Sequence, residues 1–335
     1  MLRRSFLARV ATALAFACVV ALPALPAAAA PALERIKMAT VAAEDLGEVE
    51  RRYTTWLDYK VRERGKVSRD LARSWGAPKA AGRDYILMSP DGHPDVFIRV
   101  VQTPSVPGYK PLTTFGWNAI EIIVDDPYKL FESFKASPFE HIGGPASLGS
   151  AYPTIHAFQV VGSAAEVLYL TSELGDRSKS VIPTSQGPVG RIFIMVLASA
   201  DAQATIDWYA EKFSMQKNPL RMRPLKLLTK AQNLPEDRPM PIATMRLAQH
   251  GNLIEYDGYS ENATVRPQGK GELPPAVAIT SFSVRDLDAL KLDYISKPAV
   301  RPGLAYQGRR SATVVGPAGE LIELIEESAP AAAPR

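Results

Sequence analysis

The chain has one cysteine, Cys18, and four histidines among its 335 residues. Cys18 lies in an N-terminal segment that reads as a removable leader, so disulfides, cysteine nucleophiles and thiolate metal sites are excluded from the remainder. An excess of either charge is also small. Arg3, Arg4 and Arg9 belong to the leader, and without these three arginines a net charge of +4 falls to +1. No basic patch is left to hold a nucleic acid. Beyond the leader no apolar run approaches the roughly 20 residues that a membrane helix needs. Glycine-rich phosphate loops, nucleotide fingerprints and a Ser-His-Asp layout are missing as well. The composition, 46% hydrophobic and 22% charged, is that of a soluble globular protein of about two domains.

The leader, residues 1–30, has its arginines in front, an apolar stretch through Leu22 and a small-residue end at Ala27 to Ala30, a secretory signal layout. It predicts a periplasmic or secreted protein. LRRSFLARV, with Phe6 and Leu7 following Arg3 and Arg4, fits twin-arginine export as well as ordinary Sec export. Residues 328–335 read as a disordered tail.

Between these ends the chain repeats itself. Asp45, Asp126, Asp201 and Asp286 each stand before an amphipathic segment, where an aspartate caps the free amides of a helix's first turn. A strand precedes each (IKMATV, WNAIEIIV, IFIMVL, VAITSFSV), and a hairpin follows, its turn marked by Gly92, Gly162, Gly251, or Gly316 with Gly319. The pattern βαβββ thus occurs four times, separated by polar, Pro/Gly-rich segments. One such unit leaves an open strand edge and an open face, so the units should pair and enclose clefts. The division this suggests is an N-terminal domain of two modules over 31–174, a linker over 175–190 and a C-terminal domain of two modules over 191–327.

One residue type looks out of place. In LIEYD, Glu255 sits inside an otherwise apolar strand, where a carboxylate costs several kcal/mol unless it is paired, protonated or bound to a cation. LIELI near the C-terminus repeats the pattern at Glu323.

Four βαβββ modules with Asp-led helices and hairpins ending in LIEY and LIEL resemble the vicinal oxygen chelate superfamily, which includes glyoxalase I, extradiol dioxygenases and the fosfomycin and bleomycin resistance proteins. The likeness spans residues 35–327 and implies an α+β fold of two glyoxalase-like domains. It does not fix the reaction, since this fold hosts isomerases, lyases, oxygenases and binders. In the metal-using members each module offers an early residue of its first strand and a Glu of its last. The last-strand positions fall here on Arg99, Tyr169, Glu255 and Glu323, and the first-strand positions near Met38, Ala119, Ile194 and Ile279. The usual His and Gln ligands are therefore lost. What the resemblance leaves is the pair Glu255 and Glu323, as acid and base or as ligands of a weakly held divalent cation.

Strand parity places Trp117, Glu121 and Tyr169 on one face of the second module, with Arg99 opposite, as a pocket for an oxygenated or aromatic molecule. His156 opens the strand TIHAFQVV and is the histidine best placed to join them; His93 and His250 lie at turns and His141 in a loop. The readings left open are an isomerase or lyase, a small-molecule sequestering protein, and a metal-dependent dioxygenase-like enzyme. A monomer suffices to close both clefts, and an oligomer stays open.

Overall fold

The computed structural model describes residues 30–327; the leader and the tail lie outside them. The first module comprises β1 (Arg35–Ala43), α1 (Leu46–Trp56), β2 (Lys60–Lys66), α2 (Arg69–Ser74), β3 (Asp84–Ser89) and β4 (Phe97–Gln102). The second comprises β5 (Gly116–Val124), α3 (Pro127–Phe134), β6 (Glu140–Ser147), β7 (Ile155–Val161) and β8 (Val167–Glu173). The third holds β9 (Val189–Ser199), α4 (Ala202–Phe213), β10 (Arg221–Pro224), α5 (Lys226–Ala231), β11 (Pro239–Arg246) and β12 (Leu253–Gly258). The fourth holds β13 (Ala276–Val284), β14 (Ala299–Val300), β15 (Arg310–Val315) and β16 (Leu321–Glu326).

Three of the four Asp-led helices form as the caps dictate. Asp45 Oδ1 accepts the amide of Glu48 at 3.0 Å, Asp126 Oδ1 those of Tyr128 and Lys129 at 2.9 and 3.0 Å, and Asp201 Oδ1 that of Ala204 at 2.9 Å. The fourth does not. Asp286 accepts the amides of Asp288 and Ala289, but only a turn forms over 287–290 before the chain leaves the helical region at Lys291, φ 49°. A cap satisfies the first amides; it cannot supply the propagation that a short segment lacks.

The modules pair differently from the sequential division. One curled eight-stranded sheet has the order β14-β15-β16-β13-β1-β4-β3-β2, and the other β10-β11-β12-β9-β5-β8-β7-β6. Module one therefore joins module four through antiparallel β1 and β13, and module two joins module three through β5 and β9. Neither 31–174 nor 191–327 is a structural unit. The physical reason lies in the connectors. The chain enters β9 directly beside β5, whereas the segments 103–115 and 259–275 both cross between sheets and clasp each other, with Thr114 bridged to Thr264. Arg266 holds this clasp by donating to the carbonyls of Trp117 and Val277 at 2.5 and 2.8 Å.

Consecutive modules still meet, through their helices. The hairpin turn before β8 runs Gly162 to Glu166, and that before β16 runs Gly316 to Glu320; each glutamate folds back over its own turn. Glu320 accepts the hydroxyl of Tyr209 on α4 at 2.9 Å and the amide of Ala318 at 2.8 Å. Glu166 accepts the amide of Ala164 at 2.9 Å and faces Tyr53 on α1. Burial pushes both carboxyl groups up to about 7, against the pull of those donors. The turns can close only over glycine: a Cβ on Gly316 would lie 1.9 Å from Glu320 Oε1, and one on Gly162 2.0 Å from Glu166 Oε1. Gly316→Ala should therefore expel the Glu320 carboxyl and lower stability by about 1–3 kcal/mol in urea unfolding.

Candidate functional site

The central strands of the second sheet, β5 and β9, slip register between Trp117 and Ala119. A bulge reverses parity. Trp117 consequently shares a face with Ile120 and Ile122, packed toward the helices and the first sheet, while Ala119 and Ile123 join Ile194 and Val196 on the other face. Glu121 lies on that second face beside Tyr169, its parallel partner on β8, and Val196 is paired in the same way with Glu255 on β12. Period two along β12 adds Asp257. Thus Glu121, Tyr169, Glu255 and Asp257 line one cavity of about 720 Å3.

Glu121 and Asp257 are 3% and 2% exposed, and Glu255 is half-buried in the cavity wall. Thr171 donates to Glu121 Oε1 at 2.5 Å, whereas Asp257 Oδ1 is buried without a partner among the described residues. Burial, reinforced by the Glu255 charge, pushes Glu121 up to about 8, although Thr171 opposes it. Burial pushes Glu255 up to about 7 against the attraction of Arg223. Asp257 is raised well above the usual carboxylate range by burial and then by both glutamates, and the Tyr169 phenol is raised likewise. The walls are apolar, with Leu148, Leu225, Leu227 and Ile242, and at the mouth the Arg223 guanidinium stands 5.6 Å from the centre of the Tyr152 ring.

The first sheet's matching hollow is filled. Trp75, following α2, and Tyr306 close it, and Glu323 is 0% exposed. Arg99 donates to Glu323 at 3.2 Å, to Tyr306 at 2.6 Å and to Thr40 at 3.0 Å, with its guanidinium 4.4 Å from the Trp75 ring centre. Trp75, Ser281 and Tyr306 donate to Glu323 at 2.9, 2.5 and 2.8 Å.

Glu255 and Glu323 thus lie in different sheets and form no pair, because module three meets module two rather than module four. The same cause takes Arg99 away from Glu121. Trp117 is not among the residues lining the second sheet's cavity: its indole donates to the carbonyl of Leu321 at 2.8 Å, between the sheets. His156 faces helix α3, where Nδ1 meets the Tyr128 hydroxyl at 2.8 Å and Nε2 the carbonyl of Pro153 at 3.1 Å. His141 bonds the carbonyl of Phe134 at 2.9 Å. His93 and His250 border a concavity of about 470 Å3 at the seam of the sheets, where Arg35 is paired with Asp95 and Glu327 at 2.7 and 3.0 Å. Of the sequence-derived candidates, Glu121, Tyr169 and Glu255 come together. Asp257 was not among them, although an acid two residues after Glu255 was its signal; Arg223 and Tyr152 carried none, because strand β10 and the 148–154 loop have no pattern of their own.

The registers pair Thr40 with Arg99 and Ser281 with Glu323 in one hollow, and Glu121 with Tyr169 and Val196 with Glu255 in the other, so the first-strand residues beside the last-strand positions lie two residues beyond the sequence-based estimates. Neither set offers the nitrogen and carboxamide ligands of a transition-metal site. The first holds a guanidinium at its centre, and the second has no imidazole or carboxamide beside its two carboxylates. Among the described residues no three His, Cys, Asp or Glu side chains are arranged to hold a metal.

No protein-family model matches the chain, and no curated protein sequence matches it. Solved structures do. Glyoxalase I from Zea mays, 15% identical, is similar with a TM-score of 0.57 over 87% of this chain and 92% of its own. A mutant of that maize enzyme gives 0.59 at 16% identity, over 87% and 92%. A putative dioxygenase from Bacillus subtilis is similar at 0.53 and 14% identity, over 88% of this chain and 86% of its own. The chain shares the fold of these proteins, with all four modules in one chain. At such identities the likeness establishes the fold alone.

Proposed function

We propose that the protein is an enzyme that moves a proton on a small organic molecule held in the second sheet's cavity, an isomerase or lyase with Glu121 and Glu255 as acid and base. The observation that carries this reading is the placement of two interacting carboxyl groups on neighbouring modules in one hollow, raised to about 8 and about 7. Near neutrality such a pair shares one proton. Glu255 gives its proton up first and serves as the base toward a C–H next to a carbonyl. Glu121 keeps its proton, is fixed by Thr171, and donates to the carbonyl oxygen on which charge develops. The leader supports placing this activity outside the cytoplasm.

The test is exchange of α-protons for solvent deuterium in a panel of small carbonyl compounds, followed by NMR. Activity should peak between pH 7 and 8, and Glu255→Gln should reduce it by about 100-fold or more. Exchange that is unchanged in Glu255→Gln and in Glu121→Gln would remove both from the mechanism. Retained ligand affinity with no exchange in the unaltered protein would instead favour a sequestering role.

A further inference from the structure

The two hollows have the same construction, and one contains its own occupant. In the first sheet the Arg99 side chain reaches the centre of the hollow, lays its guanidinium on an indole and meets a carboxylate. In the second sheet the equivalent positions carry Glu121, Tyr169 and Glu255, so the carboxylates and the aromatic ring are present and the central cation is not. Asp257 adds a third acid, with a buried oxygen that no described residue satisfies. A buried polar atom of this kind, aimed into a cavity, costs free energy until something donates to it. The cations that line the cavity, Arg221, Arg223 and Lys226, stand at its exposed mouth. Lys226 is paired with Glu236 at 2.5 Å; Arg221 and Arg223 have no carboxylate partner among the described residues. The cavity is therefore acidic at its floor and basic at its rim, with apolar walls between.

We propose that its ligand is a small zwitterion: a guanidinium or ammonium head for Glu255 and Asp257, beside a protonated Glu121, an apolar spacer, and an acid group for Arg221 and Arg223. This rests on the second cavity being the ligand site. A cationic head takes the place of the proton that Glu255 holds up to about 7, while Glu121 keeps its own, so binding should strengthen from pH 6 to pH 8. The charged and titratable groups facing the head are Glu121 from β5, Tyr169 from β8, Glu255 and Asp257 from β12 and Arg223 from β10. Tyr169 stays neutral in this window, held well above its usual value by burial and the acids around it.

The experiment is isothermal titration of the full chain at pH 8 with three probes: 4-guanidinobutyrate, butylguanidinium and valerate. The first should bind tightest, the second about tenfold more weakly and the third not measurably. Arg221→Gln, at an exposed site, combined with Arg223→Gln, at a half-buried one, should bring the first probe down to the second. Asp257→Asn should weaken both guanidines at least tenfold. Valerate binding as tightly as 4-guanidinobutyrate, or guanidine affinities indifferent to Asp257→Asn, would overturn the proposal. Exchange of a carbonyl compound that neither guanidine inhibits would overturn the ligand class and leave the acid and base roles standing. Exchange abolished by Glu255→Gln and competitively blocked by 4-guanidinobutyrate would support both.

Discussion

Replacing Arg99 by Met should lower stability by about 3–5 kcal/mol, the cost of breaking a buried ion pair and stranding one of its charges. Burial alone would push Glu323 up, but the Arg99 charge and the donors Ser281, Trp75 and Tyr306 hold it below the usual carboxylate range. A depressed carboxylate contributes stability above its unfolded value, near 4.5, and loses that contribution as pH falls through the folded one. Without Arg99 the Glu323 value rises. The deficit should therefore be full at pH 7 and shrink toward pH 4, in urea unfolding at both. Glu323→Gln added to Arg99→Met should recover much of the loss, because the polar ring then carries no stranded charge. A cost below about 1 kcal/mol for the single change would mean that the pair is not what closes this hollow.

The second large effect has the opposite sign in pH. Glu166 and Glu320 are raised to about 7, so the folded protein holds protons that the unfolded chain releases near 4.5. Their contribution is complete below that unfolded value and is lost as pH rises through about 7. Each full ionisation should cost about 1–3 kcal/mol. The cavity acids Glu121, Glu255 and Asp257, also raised, add to the same slope. Thermal unfolding between pH 5 and pH 7.5 should show a falling midpoint. Glu166→Gln with Glu320→Gln should flatten that fall, since a carboxamide keeps the shape and cannot ionise. A midpoint that does not fall between pH 5 and pH 7.5, or a double variant with the parent's slope there, would contradict the assignment.

The repeat of βαβββ was legible because caps and periodicities are local. Asp45, Asp126 and Asp201 cap their helices as the sequence suggests, and Glu255 announced itself as an acid in an apolar strand. Its partner was not legible. Which module closes on which depends on how the crossing segments 103–115 and 259–275 find each other, and a Thr114 to Thr264 bridge leaves no periodic signal. Trp117 failed for a second reason: a one-residue slip turned it from the cavity to the interior, and parity counted along a strand cannot detect a bulge. Arg99 and Glu121 were placed opposite each other by the sequence reading, whereas Arg99 meets Glu323 and Glu121 shares its cavity with Glu255.

The first-with-last pairing also bears on how the chain can be divided. Cut after residue 174, each fragment would own half of both curled sheets and all of neither, leaving β1 and β5, or β9 and β13, as long bare edges. Such fragments should be insoluble alone and soluble when made together, each supplying the strand the other lacks. A circular permutant opened in that same linker should fold, since no sheet is interrupted there.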